Sequence, residues 1–242
     1  LSLACFLLSG AAFADVNAPP IRAGFALVAR LWELIEHEPP PGVAVESLSG
    51  APALEPVHFK CVLSEALGGV VPGRKIAIGG EPGAGKSTLC AELASKMAEK
   101  LGGLAYWLDA EQDRALVDAL FARTKSPTRY VRRVGQHPDD PAKPAISWRD
   151  AFAAVPPNAA VMVIDSVQAW TNDSQREQSE LLQTVRTLTP TVLVISHFTK
   201  QGRFAGSRRV RYDVDATVAV ERAAIRLEKC RWTPTPRITP RS

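Results

Sequence analysis

Between residues 57 and 200, short apolar runs alternate with amphipathic helical patterns, which predicts an α/β fold with a mostly parallel central sheet flanked by helices. A glycine-rich segment, GEPGAGKST (Gly80 to Thr88), sits between one such run and one such helix. The last two apolar segments, DATVAVE and AIRLEKCRW, are read as C-terminal strands antiparallel to each other.

The elements follow in order. Residues 21–37, IRAGFALVARLWELIEH, place Phe25, Val28, Leu31, Trp32 and Ile35 at helical spacing. The proline cluster EPPPG ends that helix and opens a linker reaching Pro56. Residues 1–56 are therefore expected to be an N-terminal segment and residues 57–242 the compact domain. KIAIGG is a buried strand, and STLCAELASKMAEKLG a helix with Leu89, Leu93 and Met97 on one face. GLAYWLDAE is the next strand, expected beside KIAIGG, and DRALVDALFARTK the next helix. RYVRRV is a short strand, whereas the prolines of GQHPDDPAKPA exclude regular structure. A helix at SWRDAFAAV, the strand AAVMVID, a helix near REQSELLQTVRTL and the strand TVLVISH complete the alternation. That last strand is expected next to the one ending at Asp165, and it runs into the basic, glycine-punctuated loop ISHFTKQGRFAGSRR.

A chain of 242 residues, 46% hydrophobic, can bury one substantial core. Its net charge of +4 is uneven: residues 201–242 carry ten Lys or Arg against four Asp or Glu, so the preceding residues are close to neutral. That asymmetry suggests a polyanion met by the C-terminal third, although a basic tail is also an ordinary solvated end. Cys5, Cys61, Cys90 and Cys230 form no C-x-x-C pair, so neither a zinc knuckle nor a disulfide framework is legible, and reduced thiols in the cytoplasm are expected. LSLACFLLSGAAFADV ends in Ala12-Phe13-Ala14 like an export signal, but no Lys or Arg precedes its apolar run, and an intracellular nucleotide motif follows. It is read as a fragment or misassigned start, too short to span a membrane.

The residue types of the glycine-rich segment dictate its chemistry. Gly80, Glu81, Pro82, Gly83, Ala84 and Gly85 form a loop whose backbone N–H groups can point at phosphate oxygens, with Gly83 and Gly85 allowing the tight turn. The helix that follows adds its positive N-terminus, and Lys86 gives a point charge to the β and γ phosphates. Ser87 is placed to hold Mg²⁺ and Thr88 to reach the α phosphate, so ATP and Mg²⁺ are the expected ligands. Asp165, closing the strand VMVID, is the carboxylate expected behind the metal. Glu111, near the end of WLDAEQD, is preferred over Asp109 as the group that activates water, because ligands in open α/β sheets gather at strand C-termini.

LSEALGGVVPGRKIAIGGEPGAGKSTL resembles the start of the ATPase core of the bacterial RadA (Sms) family, in which an LGGG-hydrophobic-PG segment runs into the phosphate loop. VIDSVQAW is similar to that family's VIDSIQT, and WLDAE to the matching strand of RecA. The loop after TVLVISH resembles GHVTKDGxxAGP, VDATVAVE stands where the family has VDTVLYFE, and LEKCRW where it has KNRFG. The resemblance runs from Val57 to Trp232. It implies a RecA-like fold and an ATPase, DNA-stimulated, that forms rings or filaments and handles single-stranded or branched DNA in recombination or repair. Residue by residue, it implies Glu111 as catalytic glutamate, Asp165 as the Mg²⁺-supporting aspartate and His197 as a γ-phosphate sensor. Lys229 and Arg231 match the Lys and Arg of KNRFG, which in related hexamers reach a neighbour's nucleotide; an exposed basic edge strand is the plainer reading. Lys200, Arg203, Arg208 and Arg209 are the expected DNA-phosphate contacts, and Phe204 is a candidate for stacking on a base. The pattern departs from the family at Ser207, where a Pro is usual, and at Cys230, Trp232 and Thr233; the family's four-cysteine motif and Lon-like domain have no counterpart in the sequence. A DnaB-type helicase motor and a KaiC-like regulatory ATPase with a protein partner are the alternatives.

Overall fold

The computed structural model describes residues 55–125, 127–136, 145–197, 213–235 and 237–241. All of them lie within the compact unit Ala53–Ser242. The expected helix over 21–37 and the basic loop with Lys200, Arg203, Phe204, Arg208 and Arg209 lie outside the described residues.

In chain order the described elements are α1 (Val62–Leu67), β1 (Lys75–Gly80), α2 (Lys86–Leu101), β2 (Ala105–Asp109), α3 (Arg114–Arg123), β3 (Val131–Gly135), α4 (Trp148–Ala153), β4 (Val161–Asp165), α5 (Val167–Trp170), α6 (Gln175–Thr187), β5 (Thr191–His197), β6 (Ala216–Val220), β7 (Ala224–Cys230) and β8 (Arg237–Pro240). The strands form one sheet in the order β3-β2-β4-β5-β1-β6-β7-β8. Pairing is parallel from β3 through β6, then antiparallel between β6 and β7 and between β7 and β8. The expected α/β sheet with C-terminal antiparallel strands is the observed one.

Each element has a local cause. β1, β4 and β6 are buried along their whole length, as strands with helices on both faces must be. Their side chains alternate between two cores. Ile76, Ile78, Val161 and Val163 pack with Leu89, Leu93 and Met97 of α2, while Ala77, Met162 and Ile164 pack with Leu181, Leu182 and Val185 of α6. Asp113 caps α3 by accepting from the Leu116 amide at 2.9 Å, and Ser147 with Asp150 forms a capping box on α4. Gly102 ends α2 in the left-handed conformation, donating to the Ala98 and Glu99 carbonyls.

Two expectations are corrected. β2 is not beside the phosphate-loop strand β1: β4 and β5 lie between them, and β2 pairs with β3 and β4. The chain crosses over two strands before returning, a spatial order that the composition of a strand does not encode. The second correction is β8, a strand within the proline-rich tail that adds to the β7 edge. β5 does lie next to β4, as expected.

Candidate nucleotide site

The C-terminal ends of β1, β2, β4 and β5 converge on one side of the sheet, and the loop Glu81–Gly85 rises from β1 into α2. Gly83 and Gly85 have φ of 74° and 87°, in the region that favours glycine. Gly80 meets a different demand, since a Cβ there would stand 2.4 Å from the Val220 carbonyl oxygen of the neighbouring strand. Lys86 is buried, and its Nζ donates to the Gly80 and Glu81 carbonyls at 3.0 and 2.8 Å, drawing the loop around its amine. Burial pulls the Lys86 pKa down, against the pull of Asp165.

Asp165 ends β4 and is buried, with one carboxylate oxygen lacking any hydrogen-bond partner among the described residues. Burial pushes its carboxyl up to about 6, although the Ser87 hydroxyl donates to it. A hydroxyl and a buried, half-satisfied carboxylate at the first turn of α2 are the donor set a Mg²⁺ ion on a nucleotide would use, Ser87 directly and Asp165 behind it. Among the described residues, no group of three or more His, Cys, Asp or Glu is arranged to hold a metal ion.

Glu111 lies just past β2, half exposed. Its Oε1 accepts from Ser166 Oγ at 2.7 Å and faces His197 Nε2 at 3.8 Å, beyond hydrogen-bond length. The His197 imidazole, and then the Ser166 hydroxyl, hold the Glu111 carboxyl below its ordinary range despite partial burial. Asp109 has a different setting. It is buried, accepts from the Glu111 and Gln112 amides at 3.2 and 3.0 Å, and pairs with Arg133 at 3.2 Å. Those contacts occupy Asp109 in shaping the strand end. His197 closes β5, in register with Gly80 at the start of the loop.

Lys229 and Arg231 are not brought to this loop. β7 runs antiparallel to β6, and Cys230 pairs with Ala216, which is level with Ile76 near the start of β1. They sit at the sheet end opposite the phosphate loop. Lys229 Nζ donates to the Val214 carbonyl at 2.6 Å, and Arg231, its side chain 58% exposed, pairs with Asp215 at 3.1 Å.

No family model matches the chain. Over 215 residues, 82% of the chain, it is 28% identical to the DNA repair protein RadA of Escherichia coli, and over 165 residues 28% identical to that of Salmonella typhimurium. In sequence the chain resembles these DNA repair proteins. These matches cover 45% and 34% of the two relatives, so the chain spans less than half their length. In three dimensions it is similar to the KaiC-like protein PH0186 of Pyrococcus horikoshii, with a TM-score of 0.61 at 17% identity, over 78% of the chain and 94% of that protein. The fold is RecA-like.

Several groups in this site escape sequence reading. Ser166, Gln168 and Ser196 are buried polar residues beside the strand ends, and Arg133 fixes Asp109. Ser166 is legible in principle, as a polar interruption within VIDSVQAW. Arg241 is not: it follows β8 and donates to the Ala84 and Glu221 carbonyls at 2.5 and 2.8 Å, against the phosphate loop. Beside it lies a cavity of about 260 Å³ between Glu81, Pro82 and Ala84 on one side and Glu221 and Arg222 on the other.

Proposed function

We propose that this chain is an ATPase that binds ATP with Mg²⁺, hydrolyses it through water activated by Glu111, and couples loss of the γ phosphate to contact with single-stranded or branched DNA. The observation that carries the reading is the half-satisfied Asp165 carboxylate beside Ser87, with Lys86 and the Glu111–His197 pair around the same loop. Gly83, Ala84 and Gly85 wrap the phosphates with backbone N–H groups, and Lys86 exchanges its loop carbonyls for phosphate oxygens. Mg²⁺, when bound, neutralises charge developing on the β and γ oxygens. Glu111, held low in pKa, remains an ionised acceptor for a water proton at neutral pH. His197 reports on the γ position and begins the segment 198–212, whose Lys200, Arg203, Arg208 and Arg209 would meet DNA phosphates without reading sequence. The similarity to RadA supports DNA repair or recombination as the setting, a ring or filament as the working form, and the cytoplasm as its place. Among the described residues no helix is long and apolar enough to cross a membrane.

The test is ATP turnover with and without single-stranded DNA at one fixed ionic strength, because phosphate contacts weaken steeply with salt. Wild-type hydrolysis should rise with DNA. Lys86→Ala and Glu111→Gln should abolish it, and Arg208→Ala/Arg209→Ala should remove only the stimulation. A wild type that does not hydrolyse ATP would sink the enzyme reading; turnover indifferent to DNA would leave a nucleotide switch with a protein partner.

A further inference from the structure

Glu111 follows β2 and His197 ends β5, two strands that do not touch. β4 lies between β2 and β5, so no backbone ladder joins those two strands directly. What spans the gap is the segment immediately after Asp165. On one side Ser166 Oγ donates to Glu111 Oε1 at 2.7 Å. On the other side, Gln168 Nε2 donates to Ser196 Oγ at 2.8 Å, and its Oε1 accepts from the His197 amide at 3.3 Å. Gln168 is only 7% exposed and Ser196 is fully buried. A buried amide is costly unless bonded, and an apolar side chain of similar size would fill this place at no such cost. Packing alone therefore does not account for a glutamine here.

We propose that Gln168 is a positioning residue for hydrolysis, acting with Ser166 to make α5 the bracket that sets His197 against Glu111 and ties both to the carboxylate of Asp165. The inference rests on the reading of Glu111 as the water-activating group and of His197 as the reporter of the γ phosphate. Ser166 is bonded directly to Asp165 and Gln168 lies three positions after Asp165 along the chain, so a displacement at the metal-supporting carboxylate is felt at both. Gln168 acts through His197, from whose amide its side chain accepts.

The experiment compares Gln168→Leu, Gln168→Met and Ser196→Ala with wild type and Glu111→Gln. It measures kcat, KM for ATP, and the stoichiometry with which each protein binds a fluorescent ATP analogue. In the glutamine variants kcat should fall about ten- to a hundredfold, the scale of a misplaced catalytic group. KM should stay within about twofold and the stoichiometry should be unchanged, because the phosphate loop is intact. Ser196→Ala, which spares the bond to the His197 amide, should lose less than either. The second apolar variant guards against one that fails to fold. A merely structural glutamine would instead lower stoichiometry and kcat together, and that outcome overturns the proposal, as does wild-type kcat in a folded Gln168→Leu. If wild type hydrolyses ATP and Glu111→Gln abolishes this while Gln168→Leu changes nothing, this inference alone falls. If wild type does not hydrolyse ATP, the proposed function falls and this inference with it.

Discussion

Asp165 carries opposed demands in one side chain. Its folded pKa of about 6 lies above the ordinary aspartate value near 4, chiefly through burial. The folded state therefore binds its proton more tightly than the unfolded chain does between those two pH values. The associated stability is fully present below about pH 4 and is lost as pH rises through about 6. Asp165→Asn should accordingly raise the thermal midpoint by a few degrees at pH 7.5 in EDTA, with the gap to wild type closing toward pH 4, while Mg²⁺-dependent turnover disappears. Equal midpoints at pH 7.5 would contradict this account of burial. The place of Asp165 at the end of a buried strand is legible in the sequence, because it closes the apolar run VMVID. Gln168 is not, because a polar residue just after a strand reads as solvated until the fold shows β5 packed over it.

At the scale of elements, legibility tracked length and period. α2 and α6 announce themselves through repeated apolar positions, and β4 and β5 through unbroken apolar runs. α1 is six residues and β8 four, too short for a period, and β8 follows the proline-rich TPTP. Neighbour relations were harder still, since β2 follows β1 in the chain yet pairs two strands away. β8 nevertheless has a bearing on the site: it delivers Arg241 onto Ala84, and a Cβ at Gly85 would stand 2.7 Å from that guanidinium. Arg241→Ala should loosen the phosphate loop and raise KM for ATP roughly fivefold, the equivalent of about 1 kcal/mol for a lost hydrogen bond, with kcat little changed. An unaltered KM, measured by steady-state titration, would show that the loop holds its shape without the strand.

For the whole molecule, the decisive separation is between the two ends of the sheet. The phosphate loop occupies one, and Lys229 and Arg231 the other. With Arg231 in the role of a finger, it must serve the nucleotide of another copy, since its own lies across the full length of the strands. Mixing Glu111→Gln, which has a dead site but an intact arginine, with Arg231→Ala, which has the reverse, should then restore turnover above the average of the two alone. Strict additivity across mixing ratios would assign Arg231 to its bond with Asp215 and nothing more. A contact that joins one end of a subunit to the other end of the next cannot be its own mirror, so it does not stop at a two-fold pair. It closes as a circle or runs on as a thread, and in either form every subunit looks the same way. Hydrolysis at one site would then be felt by a neighbour on one side only, giving the assembly a direction of travel that a single chain does not possess.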